Sequence, residues 1–284
     1  MDFSRYPLSG KYYSGTERKL GILIKGVPYM LKFQKKTPFG IRNNHISEYI
    51  GSHIFECLGF EVQETFLGTY KGEYVVACRD FNCGDSQFVP FNDVGESSLD
   101  QDKENYQYDY EDIIQMLLDN AKLTEVEYSI SFFWRMYIVD ALLGNFDRHG
   151  GNWGFIKENG KYRIAPVFDN GSCLFPNLID EKDMLKIIGS QEETKKRVYS
   201  FPTSQIKLCG KKSSYHEIIS SLEFSECCEA LEYIYNRINL EELYDIVDGI
   251  DIISDIQKDF YKHMLKNRYE LIIRESYLQL KGVV

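Results

Sequence analysis

The chain has 284 residues, with 33 Lys and Arg against 43 Asp and Glu, for a net charge of −10. That length allows a sizeable core and two subdomains, and 43% hydrophobic residues, with 14% aromatics, exclude global disorder. So acidic a balance argues against nucleic acid as a direct partner, because cationic contacts to phosphate supply most of that affinity. No apolar run approaches ~18 residues, so a membrane span is not expected. The opening MDFSRYPLSG has no basic region followed by an apolar one, and so reads as free of a secretory signal. Seven scattered cysteines without a CxxC read as reduced thiols of a cytoplasmic protein, not as a disulfide framework or zinc site.

Residues 20–25 and 29–33 are short apolar runs around Gly26 and Pro28, which predicts a hairpin. Residues 47–58 follow a helical pattern through Tyr49, Ile50, Ile54, Phe55 and Leu58, with Gly59 as a stop. Residues 62–67 and 74–78 read as two further strands flanking Lys71 and Gly72. Residues 93–107 are rich in acids, Ser and Asn, and read as a solvated insertion. Behind it, Asp109 and Asp112 open a helix over 110–121, and Thr124 with Glu127 forms a capping-box pattern for a helix to about Leu143. Residues 225–237 and 251–280 also read as helices, the latter with Ile253, Ile256, Phe260, Met264 and Ile272 near one face. The expectation is an α+β protein of two lobes: a β-rich N-lobe over 1–92, the insertion over 93–108, and a mainly helical C-lobe over 109–284.

The chemistry concentrates in Asn145-Phe-Asp-Arg-His-Gly-Gly-Asn-Trp-Gly-Phe-Ile156, a hairpin centred on Asn159 and Gly160, and then Pro166-Val-Phe-Asp-Asn-Gly171. A polar loop D-x4-N, a hairpin and D-x-G therefore occur in that order. Phosphoryl transfer accounts for the order: an Asp orients the acceptor hydroxyl, and an Asn and a second Asp supply hard oxygen ligands for Mg²⁺. Asp147, Asn152 and Asp169 have the residue types and spacing for those roles. Any one of them alone reads equally as turn chemistry; the three together do not. His149 fits a loop-supporting hydrogen bond better than proton transfer, and Arg148 fits a phosphate contact or a plain salt bridge equally well. Lys32, a cation on an apolar strand, suits a contact to nucleotide phosphates. Glu48 is either its helix partner or an acid complementing a helix start. Ser14, Gly15 and Thr16 lie in a polar loop that suits phosphates, and the backbone around Arg79 to Phe81 suits adenine or a plain strand end.

The motifs resemble those of the HipA-type serine/threonine kinases, including their compact stand-alone relatives. The resemblance rests on Ser14-Gly-Thr-Glu-Arg-Lys19, Tyr29-Met-Leu-Lys-Phe33, Ser47-Glu-Tyr-Ile50, Val75-Val-Ala-Cys-Arg-Asp-Phe81, Asn145-x-Asp-x-His-x-x-Asn152 and Pro166-x-Phe-Asp-Asn-Gly171. It implies a protein-kinase-like fold, ATP and Mg²⁺ as cofactors, Asp147 as catalytic Asp, Asn152 and Asp169 as metal ligands, and Lys32 as the phosphate contact. It places Ser14 where family members carry an autophosphorylated serine. It also implies a protein substrate, an antitoxin protein as partner, and a bacterial cytoplasmic setting or that of a secreted effector. The chain starts its nucleotide loop within twenty residues, so the extra N-terminal subdomain of the longest members is not expected. Two other readings share these residues: a phosphatidylinositol or small-molecule kinase, and a catalytically silent nucleotide-binding module.

Overall fold

The computed structural model describes residues 1–13, 17–38, 40–82, 86–94, 109–119, 125–208 and 210–283. The N-lobe is built on an antiparallel sheet of β1 (Lys19–Ile24), β2 (Val27–Phe33), β5 (Thr65–Tyr70) and β6 (Glu73–Arg79), in the order β1-β2-β6-β5. Both hairpins close on a Lys-Gly pair with positive φ: Lys25 at 51° and Gly26 at 81°, then Lys71 at 50° and Gly72 at 82°. Two such residues give a turn whose twist matches that of the flanking strands. Between the hairpins lie the short β3 (Lys36–Thr37) and β4 (Gly40–Ile41) and the helix α1 (Asn44–Cys57). The helix starts three residues before the expected 47, because the Asn44 side chain bonds the end of β2: its Nδ2 donates to the Phe33 carbonyl and its Oδ1 accepts from Lys35 N–H.

The strand expected from 62 begins instead at Thr65. Upstream of it the backbone bonds leave the sheet, Gln63 N–H donating to the Val167 carbonyl and Val167 N–H to that of Glu61, both at 2.8 Å. One face of the sheet forms a small core of Phe3, Ile22, Leu31, Phe33, Val75 and Ala77. The apolar face of α1 (Ile46, Ile50, Ile54, Phe55) joins the larger core of the second lobe. Helix α1 thus belongs to both lobes.

The segment just before residue 92, expected within the N-lobe, pairs with a later hairpin. Strand β7 (Gln87–Pro90) pairs along its whole length with β8 (Gly154–Glu158), which pairs in turn with β9 (Lys161–Ile164). A four-residue run carries too little pattern to disclose so distant a partner. After the short α2 (Phe91–Val94), residues 95–108 of the expected insertion lie outside the described residues.

The C-lobe follows with α3 (Tyr110–Asp119) and α4 (Val126–Leu143). Glu125 is the N-cap of α4, without a side-chain bond, and Thr124 of the expected capping box lies outside the described residues. Twelve of the helix's eighteen residues are buried, Trp134 and Ile138 fully, so it is the central helix of the core. The lobe continues with α5 (Glu181–Ile188), α6 (Gln191–Tyr199), a hairpin of β10 (Thr203–Leu208) and β11 (Lys211–Ser214), α7 (Tyr215–Ser221), α8 (Ser225–Tyr235) and α9 (Leu240–Asp248), of which α7 and α8 pack directly on α4. The last helical stretch runs through α10 (Asp255–Arg268), a π-helical turn at Tyr269–Arg274 and α11 (Glu275–Leu280). It begins after 251 because Ser254 is its cap, accepting from Gln257 N–H. Among the described residues no helix is long and apolar enough to cross a membrane.

Candidate active site

Helix α4 ends on Gly144 in the left-handed conformation, φ 61°, which turns the chain abruptly into the loop at 145–152. Asp140, one turn earlier and 1% exposed, organises that loop. Its carboxylate accepts from Asn145 Nδ2 at 2.8 Å, and from Arg148 Nε at 2.9 Å and Nη2 at 3.1 Å. Arg148 also donates to the carbonyls of Asn152 and Phe168 and to Asn170 Oδ1. Its guanidinium is an internal strut joining the D-x4-N loop to the D-x-G segment, which settles the choice left open by the sequence in favour of the salt bridge. Asn145 Oδ1 accepts from Asp147 N–H, and the Asn145 carbonyl accepts from Tyr215 Oη. His149 supports the loop from within: its Nδ1 accepts from Gly151 N–H at 3.0 Å. Asn152 Nδ2 donates to the Asp147 carbonyl at 2.8 Å, which fixes the amide orientation and leaves Oδ1 as its outward donor atom.

The second half of the site arrives by the β8–β9 hairpin, closed at Asn159 (φ 50°) and Gly160 (φ 76°). The returning chain is laced to the N-lobe through Val167 and then reaches Asp169. This residue holds φ 57°, a left-handed conformation that costs a non-glycine residue about 1–2 kcal/mol. Lys32 Nζ on β2 donates to Asp169 Oδ1 at 2.9 Å and to Glu48 Oε2 on α1 at 2.8 Å. Glu48 Oε1 in turn accepts from Asn170 N–H. Glu48 lies in the second turn of α1, 1% exposed and against Lys32, so its partner is the lysine and not the helix start. Gly51 lets α1 approach this segment closely: a Cβ there would lie 2.5 Å from that of Asn170.

The electrostatics separate the two aspartates. Burial alone would raise the Asp169 carboxyl, but the Lys32 ammonium beside it holds it below the usual carboxylate range. Burial alone would likewise lower the Lys32 ammonium, and the Asp169 and Glu48 carboxylates together push it well above the usual lysine value. Asp147 moves the other way. Burial pushes its carboxyl up and the charge of Asp169 adds to that, against opposing contributions from His149, Arg148 and Arg42. Among the described residues no hydrogen bond or ion pair reaches the Asp147 carboxylate.

The donor set fits Mg²⁺: an ionised Asp169 with one oxygen not engaged by Lys32, and the oriented Asn152 Oδ1, are hard oxygen donors. Among the described residues no three His, Cys, Asp or Glu side chains cluster to hold a metal by themselves, so these two would share one with substrate phosphates.

The other sequence-named residues stand as follows. Arg79 Nη1 faces Glu64 Oε2 at 3.6 Å, and its carbonyl already accepts from Gln63 Nε2 at 2.8 Å. Phe81 packs its ring on Phe88 and Phe168, directly before Asp169. Ser14, Gly15 and Thr16 lie outside the described residues. Asp140 was not singled out by sequence, although an acid within so apolar a helix is a signal in itself.

Residues 13–231 match the HipA-like C-terminal domain family. The serine/threonine-protein kinase CtkA of Helicobacter pylori strain J99 is 36% identical over 282 residues, covering 96% of this chain and 86% of that protein. The crystal structure of a Helicobacter pylori proinflammatory kinase CtkA superposes with a TM-score of 0.90 at 33% identity, covering 100% of this chain and 98% of the other. HipA from Shewanella oneidensis MR-1, solved as a toxin–antitoxin complex with HipB and operator DNA, has a TM-score of 0.51 at 13% identity, over 95% of this chain and 67% of its own; the fold is shared. By the extent of the family match and the identity to CtkA, the chain belongs to the HipA-like C-terminal domain family.

Proposed function

We propose that the chain is an ATP- and Mg²⁺-dependent serine/threonine protein kinase of HipA type. The observation that carries this is the convergence of the Lys32–Glu48 pair and Asp169 with the loop bearing Asp147 and Asn152. The 36% identity to a serine/threonine-protein kinase supports the same reading.

In this mechanism the acceptor oxygen attacks the γ-phosphorus of ATP, the bond to the β,γ-bridging oxygen breaks, and ADP leaves. Asp147 orients the hydroxyl and receives its proton; its raised pKa makes it a better base than an ordinary aspartate. Lys32, held by Glu48, contacts the nucleotide phosphates. Mg²⁺ held by Asn152 and Asp169 would neutralise charge on those phosphates. Arg148 and Asp140 position the loop without touching substrate. His149 keeps the loop's shape, and the backbone at Arg79 and Phe81 borders the adenine. The motif of Ser14, Gly15 and Thr16 assigns these residues to the nucleotide phosphates and Ser14 to autophosphorylation; ATP incubation followed by mass spectrometry that finds no phosphate on peptides covering 13–19 removes the latter assignment.

A protein acceptor is favoured by an open, mainly apolar cavity of ≈ 350 Å³ beside the catalytic loop, lined by Phe146, Phe175, Leu178 and Phe201 with Asn177, Lys196 and Arg197. Such a surface suits a peptide segment. The described cysteines are unpaired, in keeping with a reducing bacterial cytoplasm, and an inhibitory antitoxin-type protein is the expected counterpart of such an activity. The test is incubation with γ-labelled ATP and Mg²⁺, with Asp147→Ala as control. Label on protein that is lost in the variant supports the proposal. Label only on added phosphatidylinositol, or nucleotide binding without transfer, contradicts it.

A further inference from the structure

Arg42 stands between β4 and α1, and its backbone ties the two lobes together. Its own N–H donates to the Lys35 carbonyl at 2.9 Å, and the next N–H, that of Asn43, donates to the Pro176 carbonyl at 2.9 Å, just beyond the D-x-G segment. The side chain is half-buried, and its Nε is shielded from solvent with no hydrogen-bond partner among the described residues. Among the described residues no carboxylate lies within ion-pair distance of it. A guanidinium keeps its charge at any physiological pH, and a buried donor left unbonded costs free energy. Such a group is expected to have an anionic partner that arrives with the substrate.

The other cations of the cleft are committed. Lys32 bonds Glu48 and Asp169, and Arg148 is spent on Asp140, Asn170 and two carbonyls. Of the two guanidinium groups whose charge is felt at Asp147, Arg42 alone has no side-chain partner among the described residues. The anion that must come to Asp147 during transfer is the γ-phosphoryl group, since Asp147 holds the hydroxyl that attacks it.

We infer that Arg42 binds the γ-phosphoryl group of ATP and stabilises its charge during transfer. The inference rests on the kinase reading of the site and adds to it a residue outside the D-x4-N and D-x-G motifs. Planar, bidentate recognition of phosphoryl oxygens suits arginine, and lysine replaces it only partly.

The test compares Mg²⁺–ADP with the Mg²⁺ complex of the non-transferable analogue AMP-PNP, by calorimetric titration of the full chain. In Arg42→Ala, affinity for AMP-PNP falls about 10- to 100-fold, the weight of a charge-assisted hydrogen bond. Affinity for ADP changes less than about twofold, and Arg42→Lys lies between. Since Arg42→Lys keeps the charge and the side-chain bulk, it serves if Arg42→Ala does not fold. Equal losses for both nucleotides, or no loss for either, overturn the inference while leaving the kinase reading in place. A wild-type chain that binds neither nucleotide overturns both.

Discussion

The Lys32–Glu48 pair, which joins the N-lobe sheet to α1, is buried on both sides, at 6% and 1% side-chain exposure. Replacing Glu48 by Ala removes the acceptor of Lys32 Nζ and of Asn170 N–H together. It leaves a buried ammonium with Asp169, 41% exposed, as its remaining carboxylate partner. Breaking one side of a buried pair costs about 3–5 kcal/mol. For a chain of this size that corresponds to a fall in Tm on the order of 10 °C. Replacing both residues by apolar ones of similar volume, Lys32→Met with Glu48→Leu, should recover part of the loss, because neither charge of the buried pair then remains, while Asn170 N–H and Asp169 still lose their partners. The assay is urea unfolding followed by far-UV circular dichroism for the wild type, both single variants and the double variant. A coupling energy above about 2 kcal/mol is expected. A coupling below about 0.5 kcal/mol, the value of a surface pair, refutes the reasoning. Both single variants and the double variant should be inactive, since in each the phosphate-binding lysine is lost or unheld.

Asp147→Asn should lower phosphoryl transfer by about 10²–10⁴-fold, the contribution of an oriented base. Its Tm should equal or exceed that of the wild type: the folded-state pKa is raised, so the ionised carboxylate is destabilising at neutral pH and removing the charge relieves that. A clear loss of Tm by scanning calorimetry contradicts this. The acid limb of single-turnover transfer should lie above the ordinary aspartate range of about 3.9, activity falling as Asp147 protonates with decreasing pH; a limb at or below that range contradicts the environment described. Arg148→Lys should destabilise the chain by about 3 kcal/mol or more, because lysine cannot reproduce the fork to Asp140 with the bonds to Phe168 and Asn170. A near-neutral result by urea unfolding argues against the strut.

Much of the site is local in sequence and was legible for that reason. Asp147 and Asn152 share one loop, and the Asn159–Gly160 turn dictates a hairpin that returns Asp169 to it. Lys32 stood out because a cation on an apolar strand needs a partner. What sequence could not disclose is non-local. Arg148 reads alike as phosphate ligand or strut until the fold brings Asp140, Phe168 and Asn170 around it. The pairing of β7 with β8 joins segments some seventy residues apart, with no periodicity to announce it. Helices α5, α6, α7 and α9 are short segments capped by the side chains of Asp180, Ser190, Ser214 and Asn239. Arg42 lies in no motif, and only its missing partner marks it.

The central claim, that one site built on Lys32, Asp147, Asn152 and Asp169 transfers phosphate to protein, is tested most directly by phosphoamino-acid analysis. Wild type and Asp147→Asn are incubated side by side with γ-labelled ATP, Mg²⁺ and a mixed protein acceptor. The account predicts acid-stable label on serine or threonine in the wild type, its loss on chelation of Mg²⁺, and its near absence in a variant that melts no lower than the parent. Equal labelling by the two proteins would contradict it.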